Sequence, residues 1–257
     1  MFGVQYIINL LFGRGLGRLL YFSAMSKGIL YLIPVPIADD ALHTMPAEVY
    51  SHTAVLQYYF AENVRTARRF IKSLHKDLVI ENIQFAEIDK HTGADTALLK
   101  KWLNEGKDVG VMSEAGCPGI ADPGAELAGI AHGIGATVVP LTGPSSIVLS
   151  LMASGLNGQS FAFNGYLPIK EPMRSQKLKA LEALSKKENQ TQLFIETPYR
   201  NNQLLDEILK HCENNTRLCI AVNLSAPDSY IKTKTIGDWK QQKTALPKAP
   251  AVFLLLA

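Results

Sequence analysis

The sequence contains few cysteines, and their scarcity excludes two kinds of covalent or metal-based stabilisation. Only three are present in 257 residues, Cys117, Cys212 and Cys219. An odd number at wide spacing provides neither a disulfide framework nor the closely paired thiolates of a structural zinc site. We therefore expect free thiols, no metal ion and a reducing compartment such as the cytoplasm.

The sequence also lacks an apolar run long enough to cross a bilayer. Its N-terminal apolar stretch, residues 1–12, is followed by Arg14 and Arg18, whereas a secretory signal carries its positive charge before the apolar residues. We expect no membrane partner. Residues 1–27 are interpreted as an N-terminal extension: translated sequence upstream of a native start at Met25, a loosely packed helix or a weak interfacial anchor. The first two interpretations are favoured.

Positive and negative side chains are nearly equal in number, and the sequence lacks the common phosphate-binding signatures. The formal net charge of +3 is too small to indicate a nucleic-acid partner by itself, although it does not oppose an anionic one. The first predicted strand is not followed by a Gly-x-Gly-x-x-Gly fingerprint, and the chain has no Walker loop. Both absences argue against dinucleotide chemistry and phosphoryl transfer.

Apolar residues make up 47% of the chain, which suffices for a sizeable core. Short apolar segments alternate with helical patterns in the first half, as is typical of a parallel sheet. Beyond Gly155 the segments become more aromatic, and a basic helical stretch at 170–187 is expected to face solvent. We predict an α/β protein with a mostly parallel N-terminal sheet and a mixed C-terminal sheet, in two domains, 28–142 and 143–257. The predicted strands are 29–33, 55–60, 108–112, 137–141, 161–168, 192–195, 217–222 and 251–256.

The stretch from Ser113 to Gly124 is rich in glycine and proline and lies between a predicted strand and a predicted helix. In open α/β sheets, ligands bind at the carboxyl ends of strands, and glycine lets the backbone approach them closely. A shorter loop would suffice merely to turn the chain, so we interpret this one as the floor of a cofactor pocket. Cys117 could instead act as a nucleophile, but no histidine lies near it in the sequence to activate it.

Residues 114–124, Glu-Ala-Gly-Cys-Pro-Gly-Ile-Ala-Asp-Pro-Gly, closely resemble the Asp-Ala-Gly-Thr-Pro-Gly-Ile-Ser-Asp-Pro-Gly loop of the tetrapyrrole methylase superfamily. Within that superfamily, the chain is most similar to the ribosomal-RNA 2′-O-ribose cytidine methyltransferases. The resemblance extends from about Ile29 to the C-terminus. Further matching stretches, in the family's order, are residues 33–37, 61–65, 142–146, 165–168 and 196–200.

The resemblance implies a two-domain tetrapyrrole-methylase-like fold, S-adenosylmethionine as cofactor, RNA or another nucleoside-containing substrate as methyl acceptor, and a homodimer. It implies catalytic roles for four polar residues, Glu62, Arg65, Glu196 and Arg200. It implies cofactor binding by Pro36, Ser113, Ala115, Gly116, Cys117, Pro118, Gly119, Ile120, Asp122, Thr142, Gly143, Pro144 and Ser145.

Two segments depart from the family pattern. Ala38-Asp39 replaces the usual Gly-Asn, so a bulkier residue alters the approach of that loop to the cofactor. Val222 to Ala226 stands where the family has Arg-Glu-Leu-Thr-Lys, which removes charges that could handle RNA. Two other functions therefore stay open: a non-catalytic cofactor-binding regulatory or interaction module, and a tetrapyrrole methylase. His91 matches a family histidine but is a weak candidate on its own.

The predicted helix after Asn63 carries basic residues spaced three and four apart, which places them near one face. Such a face is either simply solvated or a site for RNA phosphates. The four basic residues are Arg65, Arg68, Arg69 and Lys72.

For the homodimer, the aromatic stretch from Tyr58 to Phe60 is the predicted association surface.

Overall fold

A computed structural model describes residues 26–242 and 244–257. The N-terminal extension predicted for residues 1–27 lies, apart from its last two residues, outside the described residues. In the described part, two five-stranded sheets follow one another along the chain, and helices pack against both.

The first sheet is entirely parallel, with strand order β3-β2-β4-β1-β5. Each strand is connected to the next through a helix or a helical turn, as parallel pairing requires. The elements are β1 (Ile29–Leu32), α1 (Ala47–Thr53), β2 (Tyr58–Ala61), α2 (Val64–Leu74), β3 (Gln84–Glu87), α3 (Thr96–Asn104), β4 (Val109–Met112), α4 (Ala125–Gly133) and β5 (Thr137–Pro140).

The second sheet is mixed, with order β6-β7-β10-β8-β9. Strands β6 and β7 run parallel, whereas β7, β10, β8 and β9 pair antiparallel. The elements are α5 (Ser146–Ser154), β6 (Phe161–Tyr166), α6 (Met173–Glu188), β7 (Thr191–Glu196), α7 (Asn201–His211), β8 (Arg217–Val222), β9 (Tyr230–Thr235), α8 (Ile236–Lys240) and β10 (Ala251–Leu256). The predicted fold class is confirmed. The domain boundary predicted at residues 142 and 143 falls in the connection from β5 to α5 and stays a prediction.

The central strand β4 has the sequence Val-Gly-Val-Met and is buried along its whole length, because strands flank it on both sides and helices cover both faces. Its Gly110 is required by packing. A Cβ atom there would lie 2.7 Å from side-chain atoms of Ile33 and Tyr59. The small residue thus lets the large side chains on the neighbouring strands β1 and β2 meet over the sheet.

The aromatic stretch predicted as an association surface belongs instead to the core. Tyr59 and Phe60 are fully buried in β2, and Tyr58 packs on Trp102 with ring centroids 5.0 Å apart. The expectation that this stretch faces a second subunit was wrong, because β2 is an interior strand with β3 on one side and β4 on the other.

Helix α6 differs from the solvent-facing stretch expected at 170–187. Leu178 and Leu181 are buried in the core of the second sheet, and Arg174 is 1% exposed. The many lysines of this helix conceal its apolar stripe. Strands β3 and β9 were not predicted, because β3 is short and half-exposed and β9 alternates charged or polar residues with few apolar ones.

Among the helices of the described residues, none is long and apolar enough to cross a membrane.

We predict opposite effects on stability for two glycine-to-alanine substitutions. At Gly28, just before β1, a Cβ would lie 1.8 Å from the carbonyl oxygen of Lys107, so Gly28→Ala should lower the free energy of unfolding by at least about 2 kcal/mol. Gly129 lies on the exposed face of helix α4, where a Cβ would meet nothing within 4 Å, so Gly129→Ala should raise the free energy of unfolding by about 0.5–1 kcal/mol. Urea unfolding of the two variants measures both. A destabilised Gly129→Ala would contradict the assigned environment.

Candidate functional site

Three loops converge at the carboxyl ends of β1, β4 and β5. The loop after β1 is joined to the Gly/Pro loop after β4 by a reciprocal backbone pair. The amide of Val35 donates to the carbonyl of Gly116 at 2.9 Å, and the amide of Gly116 donates to the carbonyl of Val35 at 3.1 Å. Gly116 is buried and has φ +70°, a conformation that glycine adopts without strain. The pair holds the predicted pocket floor against the sheet.

A cavity of about 290 Å³, which we call the inner cavity, lies between these loops and the second sheet. Its walls are mostly apolar, and side chains from both halves of the chain contribute to them. It is lined by Ile37, residues 115–117, 120–122 and 145–147, Tyr166, residues 195, 196 and 198, Ala221, Leu224 and residues 250–252.

A wider and more polar depression, the outer groove, adjoins the inner cavity. Its volume is about 910 Å³, and it shares Ile37, Ala115 and Pro250 with the inner cavity. The two spaces are therefore adjacent to each other along these three residues. The outer groove is lined by residues 35–42, Thr66, Ala67, Arg69, Phe70, Ser73, residues 113–115, Asn223 and Pro250.

The structure brings most of the predicted cofactor-binding residues to these spaces. Pro36 and Ser113 line the outer groove. Six others line the inner cavity: Ala115, Gly116, Cys117, Ile120, Asp122 and Ser145. Five lie in the same loops but line neither space: Pro118, Gly119, Thr142, Gly143 and Pro144.

Gly143 has a packing role that the sequence did not reveal. A Cβ there would lie 2.2 Å from ring atoms of Pro34, so only glycine lets the loop after β5 approach the loop after β1. The thiol of Cys117 completes this junction, since it lies 3.4 Å from the carbonyl oxygen of Pro144. Burial raises the pKa of Cys117, which keeps the thiol protonated and argues against a nucleophilic role.

The four predicted catalytic residues do not come together: Glu62 and Arg65 lie outside the inner cavity, and Glu196 and Arg200 pair at its wall. Glu62 lies at the end of β2, where it accepts a hydrogen bond of 3.0 Å from the amide of Glu114 and contacts Lys90 at 3.4 Å. Arg65 is exposed on α2 and lines neither space. Glu62 thus supports the Gly/Pro loop from outside the inner cavity. The sequence did not indicate Lys90 or Glu114, because they join this group only through tertiary folding.

Glu196 and Arg200 form a hydrogen-bonded ion pair at the wall of the inner cavity. Glu196 lines it and is 4% exposed. Its carboxylate accepts from Arg200 Nη2 at 2.6 Å and from the Thr197 amide at 2.7 Å, and Arg174 Nη2 lies 3.7 Å away. Burial alone would raise the pKa of Glu196, but these hydrogen bonds and positive charges lower it. Glu196 is therefore a fixed, ionised acceptor.

Asp122 is a second carboxyl group that lines the inner cavity, and its pKa is shifted in the opposite direction from that of Glu196. Burial, followed by the negative charges of Glu62 and Glu114, raises its pKa from 3.8 to about 6, although Lys90 opposes the shift. A carboxyl group with this pKa is largely ionised at neutral pH yet still basic enough to accept a proton. Asp122 and Glu196 thus differ in what they can do within one cavity.

Neither His91 nor the one candidate metal cluster of the described residues belongs to this site. The amide of His91 donates to Asp89 in an exposed turn. Glu171, Glu207 and His211 bring possible ligand atoms within 4.8 Å of one another, but none lines the inner cavity or the outer groove. His211 and Glu207 form a pair at 3.1 Å one helical turn apart.

Comparison with protein families places this site in a known group. The family model of the Tetrapyrrole (Corrin/Porphyrin) Methylases matches residues 30–240. The chain belongs to this family. The site described above therefore lies within a methyltransferase, as the loop sequence at 114–124 predicted.

Two bacterial relatives narrow the comparison. The chain is 30% identical to the ribosomal RNA small subunit methyltransferase I of Escherichia coli O157:H7 over 245 residues, which cover 90% of this chain and 78% of that protein. It is 33% identical to the protein of the same name from Bacillus subtilis (strain 168) over 191 residues, or 74% of this chain and 62% of that protein.

Solved structures of tetrapyrrole-methylase-like proteins share the fold. Diphthine synthase superposes with a TM-score of 0.61 at 11% identity, covering 90% of each chain. A uroporphyrin-III C-methyltransferase from Thermus thermophilus, solved with S-adenyl homocysteine, gives 0.52 at 15% identity and covers 89% of this chain and 97% of that one. These likenesses establish the two-sheet architecture.

We predict that Asp122→Asn stabilises this tetrapyrrole methylase in a pH-dependent way. Because folding raises the pKa of Asp122, the folded state retains the proton more strongly, and wild-type stability falls as pH rises from about 4 through about 6. The neutral asparagine avoids this loss. After allowance for solvent screening, the gain at pH 8 should be on the order of 1 kcal/mol and should vanish near pH 4. Urea unfolding at both pH values tests this, and an equal effect at both would contradict the shifted pKa.

Proposed function

We propose that this chain is an S-adenosylmethionine-dependent methyltransferase that acts on a ribose 2′-hydroxyl of small-subunit ribosomal RNA in the cytoplasm. The observation that carries the proposal is the mostly apolar inner cavity at the family's Gly/Pro loop, with a wider and more polar groove beside it. The names of the bacterial relatives supply the substrate class.

The inner cavity suits the cofactor in size and lining. Its volume of about 290 Å³ is close to the lower end of the range for small-ligand pockets, about 300–1,000 Å³. Gly116 contributes only backbone to the cavity lining, and a Cβ there would lie 3.3 Å from Ile37 Cγ2 and 3.5 Å from the carbonyl oxygen of Pro144. When bound, the cofactor supplies an electrophilic methyl group. We assign its contacts to the six predicted residues that line the cavity, and we assign support of those contacts to the remaining seven.

Apart from cofactor binding, the side chains of the site have two tasks: they orient the reacting groups and take up a proton. Methyl transfer to a hydroxyl needs an in-line approach and a group that takes up the hydroxyl proton. Asp122 is our proposed acceptor of that proton, because its pKa of about 6 leaves it ionised and basic at neutral pH. Glu196, fixed by Arg200, orients a hydrogen-bond donor, and Glu62 positions the loop that carries Asp122.

The direct experiment is methyl transfer from labelled S-adenosylmethionine to small ribosomal subunits from cells that lack this protein. A methylated 2′-oxygen makes the adjacent phosphodiester resistant to alkali, because alkaline cleavage requires the free hydroxyl. We expect label in an alkali-resistant dinucleotide of the small-subunit RNA. Label in a base would overturn the ribose assignment. Cofactor binding without transfer to RNA or to a tetrapyrrole would favour a regulatory or interaction module.

We predict that Ala115→Leu blocks cofactor binding. Ala115 is an exposed residue that lines both the inner cavity and the outer groove, so a larger side chain there occupies cavity space while the core stays intact. Calorimetric titration with S-adenosylhomocysteine should show an affinity at least about tenfold weaker, equivalent to about 1.4 kcal/mol. Ala125→Leu, at the exposed start of α4, is the matched control and should bind as wild type. Unchanged affinity of Ala115→Leu would remove the cofactor from this cavity.

We also propose a homodimer that uses the outer face of α5. Val148 and Met152 lie one turn apart on this helix and are 48% and 74% exposed, which is costly for two large apolar side chains on one face. We predict that Met152→Glu shifts the mass in solution from dimer to monomer at micromolar concentration, as measured by light scattering. A monomeric wild-type protein would refute the dimer, and a dimeric variant would refute this face.

A further inference from the structure

The outer groove contains two chemically different sets of polar side chains. One set lies on α2, where Thr66, Arg69 and Ser73 follow one another at spacings of three and four and so share a face. The other set consists of carboxylates, Asp39 and Asp40 in the loop after β1 and Glu114 in the Gly/Pro loop. The Ser73 hydroxyl already donates to the carbonyl of Phe70 at 2.6 Å, so Arg69 and Thr66 are the groups of this set suited to bind an anion such as phosphate. Carboxylates only accept hydrogen bonds and repel anions.

We propose that the outer groove holds the acceptor nucleotide in one orientation, with a backbone phosphate bound by Arg69 on α2 and the nucleoside directed toward Asp39 and the inner cavity. This inference rests on the proposed function, because it names the RNA contacts of that same site. The two spaces adjoin at Ile37, Ala115 and Pro250, so a ribose bound at that end of the groove would lie beside the cofactor cavity.

The contacts of the other basic residues on α2 distinguish Arg69 from them. The guanidinium of Arg68 lies over the ring of Phe85 at 5.2 Å, and Lys72 donates to the carbonyl of Leu78 at 2.8 Å. Arg65 is exposed but does not line the groove. Of the four basic residues on this helix, Arg69 alone is both exposed and part of the groove lining.

The carboxylates favour one orientation of the nucleotide in the outer groove over the reverse. A phosphate placed beside Asp39 and Asp40 would face negative charge, and base amino groups or ribose hydroxyls placed there would find acceptors. Glu114 contributes less to this charge, because the ammonium of Lys90 lies 3.6 Å from its carboxylate. Asn223 adds a neutral side chain to the lining, and its Nδ2 already donates a hydrogen bond to the carboxylate of Asp228. The groove is thus electrostatically asymmetric, and a nucleotide is expected to enter with its phosphate toward α2.

The test compares Arg69→Ala with Arg65→Ala, two exposed arginines four residues apart on the same helix. The protein, loaded with S-adenosylhomocysteine, is titrated with a fluorescent fragment of small-subunit ribosomal RNA at several salt concentrations. Arg69→Ala should weaken binding about fivefold to tenfold at low salt and reduce the slope of log K against log salt by about 1. Arg69→Lys should restore the slope, because a lysine also releases a counterion. Arg65→Ala should change both quantities much less.

Each result separates this inference from the function on which it rests. If wild type binds the RNA and Arg69→Ala behaves like Arg65→Ala, the orientation is wrong and the proposed function stands. If Arg69→Ala loses affinity for S-adenosylhomocysteine as well, its effect is structural and the inference is overturned. If wild type binds S-adenosylhomocysteine but neither binds nor methylates the RNA, the RNA substrate and this inference both fail.

Discussion

The reciprocal backbone pair between Val35 and Gly116 is the constraint on which the site depends. It joins the carboxyl ends of two adjacent parallel strands, β1 and β4, beyond the point where the sheet itself ends. Gly116 occupies a left-handed conformation, and Cys117 and residues 120–122, which follow it in the loop, line the inner cavity. Without this pair the loop would have few contacts to fix it, since most of its residues are exposed or only half-buried.

The buried charges around Glu196 are explained better by the site than by stability. Arg174 and Glu196 are both almost completely buried, and in the described residues Nη2 of Arg174 and Nε of Arg200 lack hydrogen-bond partners. Removing such groups from water costs several kcal/mol per ion, which mutual attraction only partly offsets. The arrangement does give one carboxylate a single position and charge state at the wall of the inner cavity. We interpret Arg174 as a residue that positions Glu196.

Much of the fold could be predicted because its signals are local. Alternating apolar and helical segments indicated the parallel sheet, and the unusual length and composition of the loop after β4 indicated the pocket floor. The burial of Arg174 could not be predicted, because α6 surrounds it with lysines and its partners lie at Pro168 and Glu196, on other elements. The grouping of Glu62, Lys90 and Glu114 likewise arises from three separate loops. Such contacts depend on tertiary folding, which local patterns do not encode.

The segment from Val222 to Ala226 shows why a missing charge need not mean a missing function. Val222 is fully buried in β8, where it pairs with β10, so an arginine at that position would have to bury its guanidinium in the core. In this chain the strand end is therefore part of the core, and the cation that faces the outer groove lies on α2. Arg69 and the loop that carries Asp122 both belong to the first sheet and its connections. If the proposed orientation holds, the first sheet and its connections carry both phosphate binding and proton transfer, while the second sheet completes the cofactor cavity and contributes Glu196 to its wall.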